Sequence, residues 1–287
     1  MGKYYTRLPQ DTIYHHLKCQ ALKGISNLSD KLFGNKNIRN NQLEIIPITV
    51  PCHRLDTAFN GYRIIQISDI HMGTWINPPR LEGVISIINQ QHPDLIVITG
   101  DLITDFRIDL FEPMCDLFRL LKSKDAVLAV RGNHDCWISK ARFQKILQQG
   151  GVIDISNTFY TIYRGKAALH IAGVDDIRHG QDCLDGVLNT IPASGAAILL
   201  AHEPDFADTS ALTDRFDLQL SGHSHGGQVV LPLIGSPFLP HLGRKYPNGR
   251  YQVNGMIQYT NRGVGTASIQ LRYNCPAEVT IITLQVS

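Results

Sequence analysis

The chain has 287 residues, 43% of them hydrophobic and 18% charged, and a net charge of +2. That length and apolar content exclude a disordered chain and suit one folded domain with a sizeable core. The near-neutral balance gives a nucleic-acid reading no support, and no apolar run reaches the roughly 18 residues of a membrane span. Six scattered cysteines with no C-x-x-C pair exclude a disulfide scaffold and fit a reducing compartment. The start lacks the apolar core and cleavage site of a signal peptide. A cytoplasmic setting is expected, with peripheral attachment to the inner face of the membrane left open.

The charge is uneven. Residues 1–40 carry seven Lys/Arg against two Asp, or +5, so the rest sums to −3 within the total of +2. Asp11 is placed to cap a helix. Ile13, Leu17, Ala21, Ile25, Leu28, Leu32 and Phe33 then recur at steps of mostly four, with lysines and histidines between them. This basic amphipathic stretch either packs on the main domain or lies on an anionic membrane surface. Residues 34–42 are polar and linker-like. Residues 1–42 are therefore expected to form an arm and linker, and residues 43–287 the functional domain.

Leu43–Val50 reads as a first strand. The β-rich run 62–68 ends in Asp69-Ile70-His71, and a helix is expected over 79–91. The apolar run 94–99 ends in Gly100-Asp101, and a helix is expected over 109–122. The run 126–130 ends in Arg131-Gly132-Asn133-His134-Asp135, and Ser139 caps a helix that stops at Gly150-Gly151. This alternation predicts an α/β sheet with its polar clusters at the carboxyl ends of the strands. The second half reads as mostly strand, over about 159–163, 168–174, 196–201, 217–220, 228–231, 251–260 and 279–285. The run 196–201 ends in His202-Glu203, and 217–220 leads to Gly222-His223-Ser224-His225-Gly226.

Core packing alone does not place five polar clusters in register with successive strands. Carboxylate, imidazole and amide-carbonyl groups together suit Mn, Fe or Zn rather than Ca. Two such ions roughly 3.5–4 Å apart can clamp both oxygens of an in-line displacement at phosphorus. One carboxylate must then bridge them, and a bridging water would lose a proton to become the nucleophile.

Asp69-x-His71, Gly100-Asp101, Gly132-Asn133-His134-Asp135, His202 and Gly222-His223-x-His225 together resemble the signature of the calcineurin-like metallophosphoesterase superfamily. The motifs stand in the family's order. The tail motifs Asn261-Arg262-Gly263-Val264-Gly265 and Arg272–Glu278 are similar to those of its small bacterial phosphodiesterase branch, the YaeI/YkuE type. The resemblance covers about residues 43–287. It implies a four-layer α/β/β/α metallophosphoesterase sandwich with mixed sheets and a dinuclear site holding two divalent ions, Mn first, with Fe or Zn as alternatives. By motif, Asp69, His71 and His225 would hold one metal, Asn133, His202 and His223 the other, and Asp101 would bridge both. His134 would protonate the leaving oxygen and Asp135 would orient it. Some members carry an Asp three residues after the bridging Asp. Thr104 stands there instead, followed by Asp105, whose role stays open.

The implied function is hydrolysis of a phosphodiester or pyrophosphate by metal-bridging hydroxide. A small-molecule or lipid-linked substrate such as UDP-2,3-diacylglucosamine would suit the basic arm and the apolar loop 231–243. Peripheral membrane contact would run through residues 1–40, and no nucleic-acid partner is expected. The alternative is a metal-binding scaffold without turnover, which the complete ligand set disfavours. Asp175 and Asp176 read more as a strand-end turn than as partners of a ligand. Arg262 is open between a phosphate contact and an ordinary surface role. Trp75 and Trp137 follow ligand clusters and either wall the site or join the core.

Overall fold

The apolar runs lie side by side as strands, and their polar ends share one edge. The structure is a computed structural model describing residues 43–104, 108–267 and 270–287. The expected arm at 1–42 and Asp105 lie outside the described residues. The first sheet contains β1 (Leu43–Cys52), β2 (Arg63–Ile67), β3 (Leu95–Ile98), β4 (Ala126–Ala129), β5 (Ile153–Asp154) and β12 (Ala277–Val286), in the order β1-β12-β2-β3-β4-β5. The second contains β6 (Thr158–Arg164), β7 (Ala167–Gly173), β8 (Ala196–Leu200), β9 (Leu218–Ser221), β10 (Gly249–Val253) and β11 (Met256–Thr260), in the order β10-β11-β9-β8-β7-β6. Both sheets are mixed: β2 to β5 run parallel while β12 opposes β2, and β7, β8, β9 and β11 run parallel while β6 and β10 oppose their neighbours.

Side-chain alternation along each strand makes the layers. Ile65, Ile67, Ile96 and Ile98 face outward against α1 (Pro78–Gln90), α2 (Phe111–Phe118) and α3 (Lys140–Gln149). Ile64, Leu95, Val97 and Leu128 face inward and meet Ile171, Ile198, Leu218, Leu220 and Ile257 of the other sheet. Ala172, Ala197 and Leu199 face the far side, under α4 (Leu184–Thr190). The result is the expected α/β/β/α sandwich. Asn77 and Ser139 cap α1 and α3 by accepting the backbone N–H groups of Arg80 and Arg142.

Register fixes where the clusters fall. Ile67 pairs with Ile98, and Ile98 with Ala129. The residues just beyond, Asp69, Asp101 and Asn133, therefore emerge at one level. Leu200 pairs with Leu220, so His202 and His223 emerge together from the second sheet. Gln66 ties the sheets beneath them, its Nε2 donating to Thr99 Oγ1 at 3.0 Å and to the Ser221 carbonyl at 2.9 Å.

Several elements differ from expectation. The second helix is shorter than 109–122: a 3-10 turn at Ile108–Leu110 precedes α2, and the chain turns off at Phe118 through bonds from Leu120 N to Leu117 O and from Leu121 N to Phe118 O. Residues 228–231 are not a strand. Gln228 is left-handed (φ 58°), and Leu231 pairs back onto Gly235 as an isolated bridge. The strand expected over 251–260 is the hairpin of β10 and β11, turning at Asn254 (φ 44°) and Gly255 (φ 89°), a pair suited to a tight left-handed turn. Helix α4 was not expected, because its seven residues are too few to show a period.

Candidate metal centre

The site is built from chain bends rather than regular elements. Asp69, His71, Asp101, His223 and His225 all have positive φ, between 47° and 69°, a region that non-glycine residues seldom enter. Such backbone lets a strand end turn at once and aim successive side chains at one point. Two glycines make room for it. A Cβ on Gly222 would lie 1.9 Å from Ser68 Oγ and 2.3 Å from Asp69 Oδ2. A Cβ on Gly132 would lie 2.3 Å from Asp101 Oδ1.

Two groups of potential metal-binding atoms result, Asp69, His71 and His225 in one and Asp101, His202 and His223 in the other. His71 Nε2 is 3.1 Å from His225 Nε2, and His225 Nε2 is 3.2 Å from Asp69 Oδ1. Asp101 stands between the groups, its Oδ2 3.2 Å from His202 Nε2 and 3.5 Å from His71 Nε2. His71, Asp101 and His134 form a third, overlapping group.

The outward ring nitrogens are held by the fold. His202 Nδ1 donates to the Thr99 carbonyl at 2.6 Å, and His223 Nε2 donates to the His241 carbonyl at 2.8 Å. Those bonds turn the opposite nitrogen of each ring toward the other site residues. His71 Nδ1 meets Thr104 Oγ1 at 3.1 Å. Thr104, noted from sequence only as a departure from the family pattern, is thus a partner of a site histidine. The His223 N–H donates to both oxygens of Asp69, at 3.0 and 3.2 Å, and so fixes that carboxylate.

Asn133 Oδ1, His134 Nδ1 and His225 Nδ1 are buried without a hydrogen-bond partner among the described residues. Buried polar atoms are normally paired. Orphans of nitrogen and amide-oxygen type beside two carboxylates are what a divalent cation would satisfy, so the donor set fits the metals the motifs imply.

Charge states agree with this for three of the histidines. In the fourth, His202, burial is outweighed by the Asp101 carboxylate, which raises it well above its usual value, so a bound metal would displace its proton. Burial, with His134 adding to it, pushes His71 down to about 3. Burial and then the charge of His202 do the same to His223, also to about 3, and His225 is driven well below its usual value by burial and His71. All three imidazoles are neutral at physiological pH, the form that binds metal. Asp69 is raised to about 6 by burial, with Asp101 contributing. Burial acts against Asp101 as well, but His202 and His134 outweigh it and hold that carboxyl well below its usual range.

Asp135 does not do what the sequence suggested. Its carboxylate accepts from the backbone N–H groups of Asp101 (2.9 Å), Gly132 (3.0 Å) and Leu102 (2.9 Å), not from His134. It clamps two site loops together. The His134 ring instead lies against Trp137, with centroids 4.6 Å apart, and edge-on to His71 at 4.8 Å. Trp75 joins the core between the first sheet and its helices, with the Arg80 guanidinium over its ring. Asp175 and Asp176 are more than a turn. Both are buried, Asp175 paired with Arg131 (2.9 Å) and Lys140 (3.1 Å), and Asp176 with His179 (2.5 Å). Arg262 faces no phosphate, since Glu278 and Glu44 hold its guanidinium.

Buried carboxylates and neutral imidazoles gathered at the common edge of two sheets define an α/β metalloprotein. The profile of the calcineurin-like phosphoesterase family matches residues 62–227. YkuE of Bacillus subtilis, described as an uncharacterized metallophosphoesterase, is 34% identical over 85% of this chain and 86% of its own length. Phosphodiesterase YaeI of Escherichia coli is 30% identical over 78% of this chain and 82% of its own. A transmembrane protein with a metallophosphoesterase domain from Danio rerio is 28% identical over 84% of this chain and 57% of its own length. The chain belongs to the calcineurin-like phosphoesterase family and is a metal-dependent phosphoesterase. No helix among the described residues is long and apolar enough to cross a membrane.

Proposed function

We propose that the chain is a dinuclear-metal phosphohydrolase acting on a phosphodiester or pyrophosphate. Asp69, His71 and His225 would hold one ion, and Asn133, His202 and His223 the other, with Asp101 shared. The observation that carries this reading is the position of Asp101 Oδ2, within 3.5 Å of an imidazole nitrogen from each group. When bound, the ions supply positive charge that polarises the phosphoryl oxygens and acidifies water. Mn suits the mixed donor set, as do Fe and Zn.

The chain's own residues supply the rest. His134 faces the group from the Trp137 side, and its Nδ1 makes no hydrogen bond within the described residues. It delivers the proton to the leaving oxygen. Asp135 contributes by fixing the Asp101 loop. Hydrogen bonds from His202 and His223 to backbone carbonyls keep both rings in the tautomer the site needs.

The diester preference follows the relative named as a phosphodiesterase. A lipid-linked substrate such as UDP-2,3-diacylglucosamine suits the basic amphipathic stretch at 1–40, which would reach the membrane, and the apolar loop near the site. Residues 1–42 form an appended arm in this reading. The test is hydrolysis of bis-p-nitrophenyl phosphate by chelator-stripped protein, with and without Mn²⁺, Fe²⁺ or Zn²⁺. Turnover only with metal supports the enzyme. Metal binding with no turnover of this diester or of a nucleotide pyrophosphate would support a scaffold instead.

A further inference from the structure

The segment that follows the last two site histidines ends in an exposed apolar tip. Leu231 and Gly235 exchange backbone hydrogen bonds at 2.8 and 2.9 Å, closing a hairpin over Pro232, Leu233 and Ile234. Leu233 is 108% exposed, Ile234 72% and Phe238 68%, with the half-exposed Tyr273 beside the hairpin's base through its bridge to Val229. Exposed apolar residues scattered singly need no explanation, but four gathered at one place do. Leu233 is also left-handed, at φ 68°.

The tip is tied to the metal centre. Ser236 Oγ donates to the Gly226 carbonyl at 3.2 Å, and Ser236 fills the space beside Gly227. A few residues on, the His241 carbonyl accepts the proton of His223 Nε2. The same loop therefore holds a site histidine at one end and presents hydrocarbon at the other.

We infer that this hairpin, residues 231–238, is a membrane-docking element that seats the metal centre against an anionic bilayer. Charge selects that occupant. From Leu218 to Ala277 the chain has no Asp or Glu, and of its five cations Lys245 pairs with Asp208, Arg262 with Glu44 and Glu278, and Arg272 is buried, so Arg244 and Arg250 carry the surface charge. Arg244 and Arg250 are exposed and form no ion pair among the described residues. An uncharged apolar tip followed by cations matches the interface of an anionic leaflet, where side chains enter the acyl boundary and cations meet headgroup phosphates. A protein partner fits less well. A stable interface buries about 800 Å² on each side, more than three side chains on one loop supply. The inference deepens the proposed function and rests on it in one respect, that a phosphoester with an acyl tail would reach the ions from the bilayer side.

The test reads the hairpin directly, because the basic arm could bind vesicles by itself. Full-length Phe238→Trp protein is mixed with phosphatidylcholine vesicles, with and without phosphatidylglycerol, and its emission is compared with that of the unsubstituted protein. The added tryptophan should shift to the blue with anionic vesicles and be quenched by lipids brominated in their acyl chains. The double variant Leu233→Asp, Ile234→Asp should bind anionic vesicles about tenfold or more weakly, since it replaces two aliphatic side chains with charge. Its metal-dependent hydrolysis of the soluble diester should stay unchanged, which reports an intact fold and centre. An unshifted, unquenched tryptophan would overturn the proposal, as would an undiminished blue shift and quench when Leu233→Asp and Ile234→Asp are added to Phe238→Trp. Loss of a concentration-dependent dimer, with vesicle binding kept, would overturn it in favour of self-association. If the diester is not hydrolysed at all but the shift and quench remain, the functional reading fails and the docking surface stands.

Discussion

At the scale of single residues, two histidines illustrate opposite uses of burial. His134 sits beside the metal groups with an unsatisfied Nδ1, and its ring is held by Trp137 rather than by a carboxylate. If it protonates the leaving oxygen, its value depends on how much the leaving group needs a proton. His134→Gln should lower kcat by about 10²–10⁴-fold for a diester with an alkoxide leaving group. The loss should be far smaller for bis-p-nitrophenyl phosphate, whose phenolate departs unaided. Equal losses on both substrates would remove the leaving-group role. His170 is far from this chemistry, on β7, bonded to Thr161 Oγ1 at 2.8 Å and to the Ser194 carbonyl at 3.1 Å. Burial, with the Arg215 charge adding to it, lowers its pKa, and the Ser194 carbonyl only partly opposes this. The unfolded chain then takes up a proton near pH 6.5 that the folded chain refuses. Its contribution to stability is present above about pH 6.5 and is lost as pH falls below that value. Urea midpoints of the protein and of His170→Gln, measured from pH 7.5 to 5, should show the unsubstituted protein losing more. Parallel curves would contradict the assignment.

At the scale of elements, the strands and their terminal clusters could be read from the sequence because each signal is local. The buried runs at 94–99, 126–130 and 196–201 are short and apolar, and each stops at a polar residue. What the sequence concealed depends on backbone rotation and on distant partners. The extended look of 228–231 is cancelled by a left-handed Gln228, and the run 251–260 folds back at Asn254-Gly255. Asp135 adjoins His134 in sequence, yet its carboxylate turns to the backbone of a loop 33–34 residues earlier. Arg262 looked available for phosphate until β1 and β12 brought Glu44 and Glu278 to it. The motif glycines at 132 and 222 are required by contact between elements, which no local pattern shows. Gly222→Ala would drive a methyl group into Ser68 and Asp69, across the gap between β2 and β9. Overpacking of this kind costs about 1–3 kcal/mol, so the metal-free protein should melt lower and bind metal more weakly. Gly83→Ala on α1 is the contrast. Nothing lies within 4 Å of its added Cβ, and helix propensity should leave stability unchanged or raised by up to about 1 kcal/mol. If both substitutions melt alike, the close approach at Gly222 is not what selects glycine there.

At the scale of the whole molecule, the candidate centre lies where the two sheets meet. Asp69, Asp101 and Asn133 follow strands of the first sheet, and His202, His223 and His225 follow strands of the second. The core between the sheets and the Gln66 bridge already join the layers, but the site edge itself is costly. It contains five left-handed non-glycine residues and several buried orphan atoms. Ions bound there would satisfy the orphans and link the sheets, and they would bind the folded chain far better than the unfolded one, where these residues are scattered. Linkage then sets the size of the effect. At a free metal concentration 100 times Kd, each independent site adds about 2.7 kcal/mol to stability. For a domain of this size each kcal/mol is worth about 2–4 °C in Tm, so saturation with Mn²⁺ should raise Tm by about 5 °C or more and excess chelator should reverse the rise. The titration should also resolve two ions per chain, and Asp101→Asn should weaken both, because its carboxylate serves each group. A single ion whose binding ignores Asp101 would mean that the two groups act separately. A Tm indifferent to every divalent metal would mean that the fold keeps this edge strained without the ions, and the dinuclear reading would fall with it.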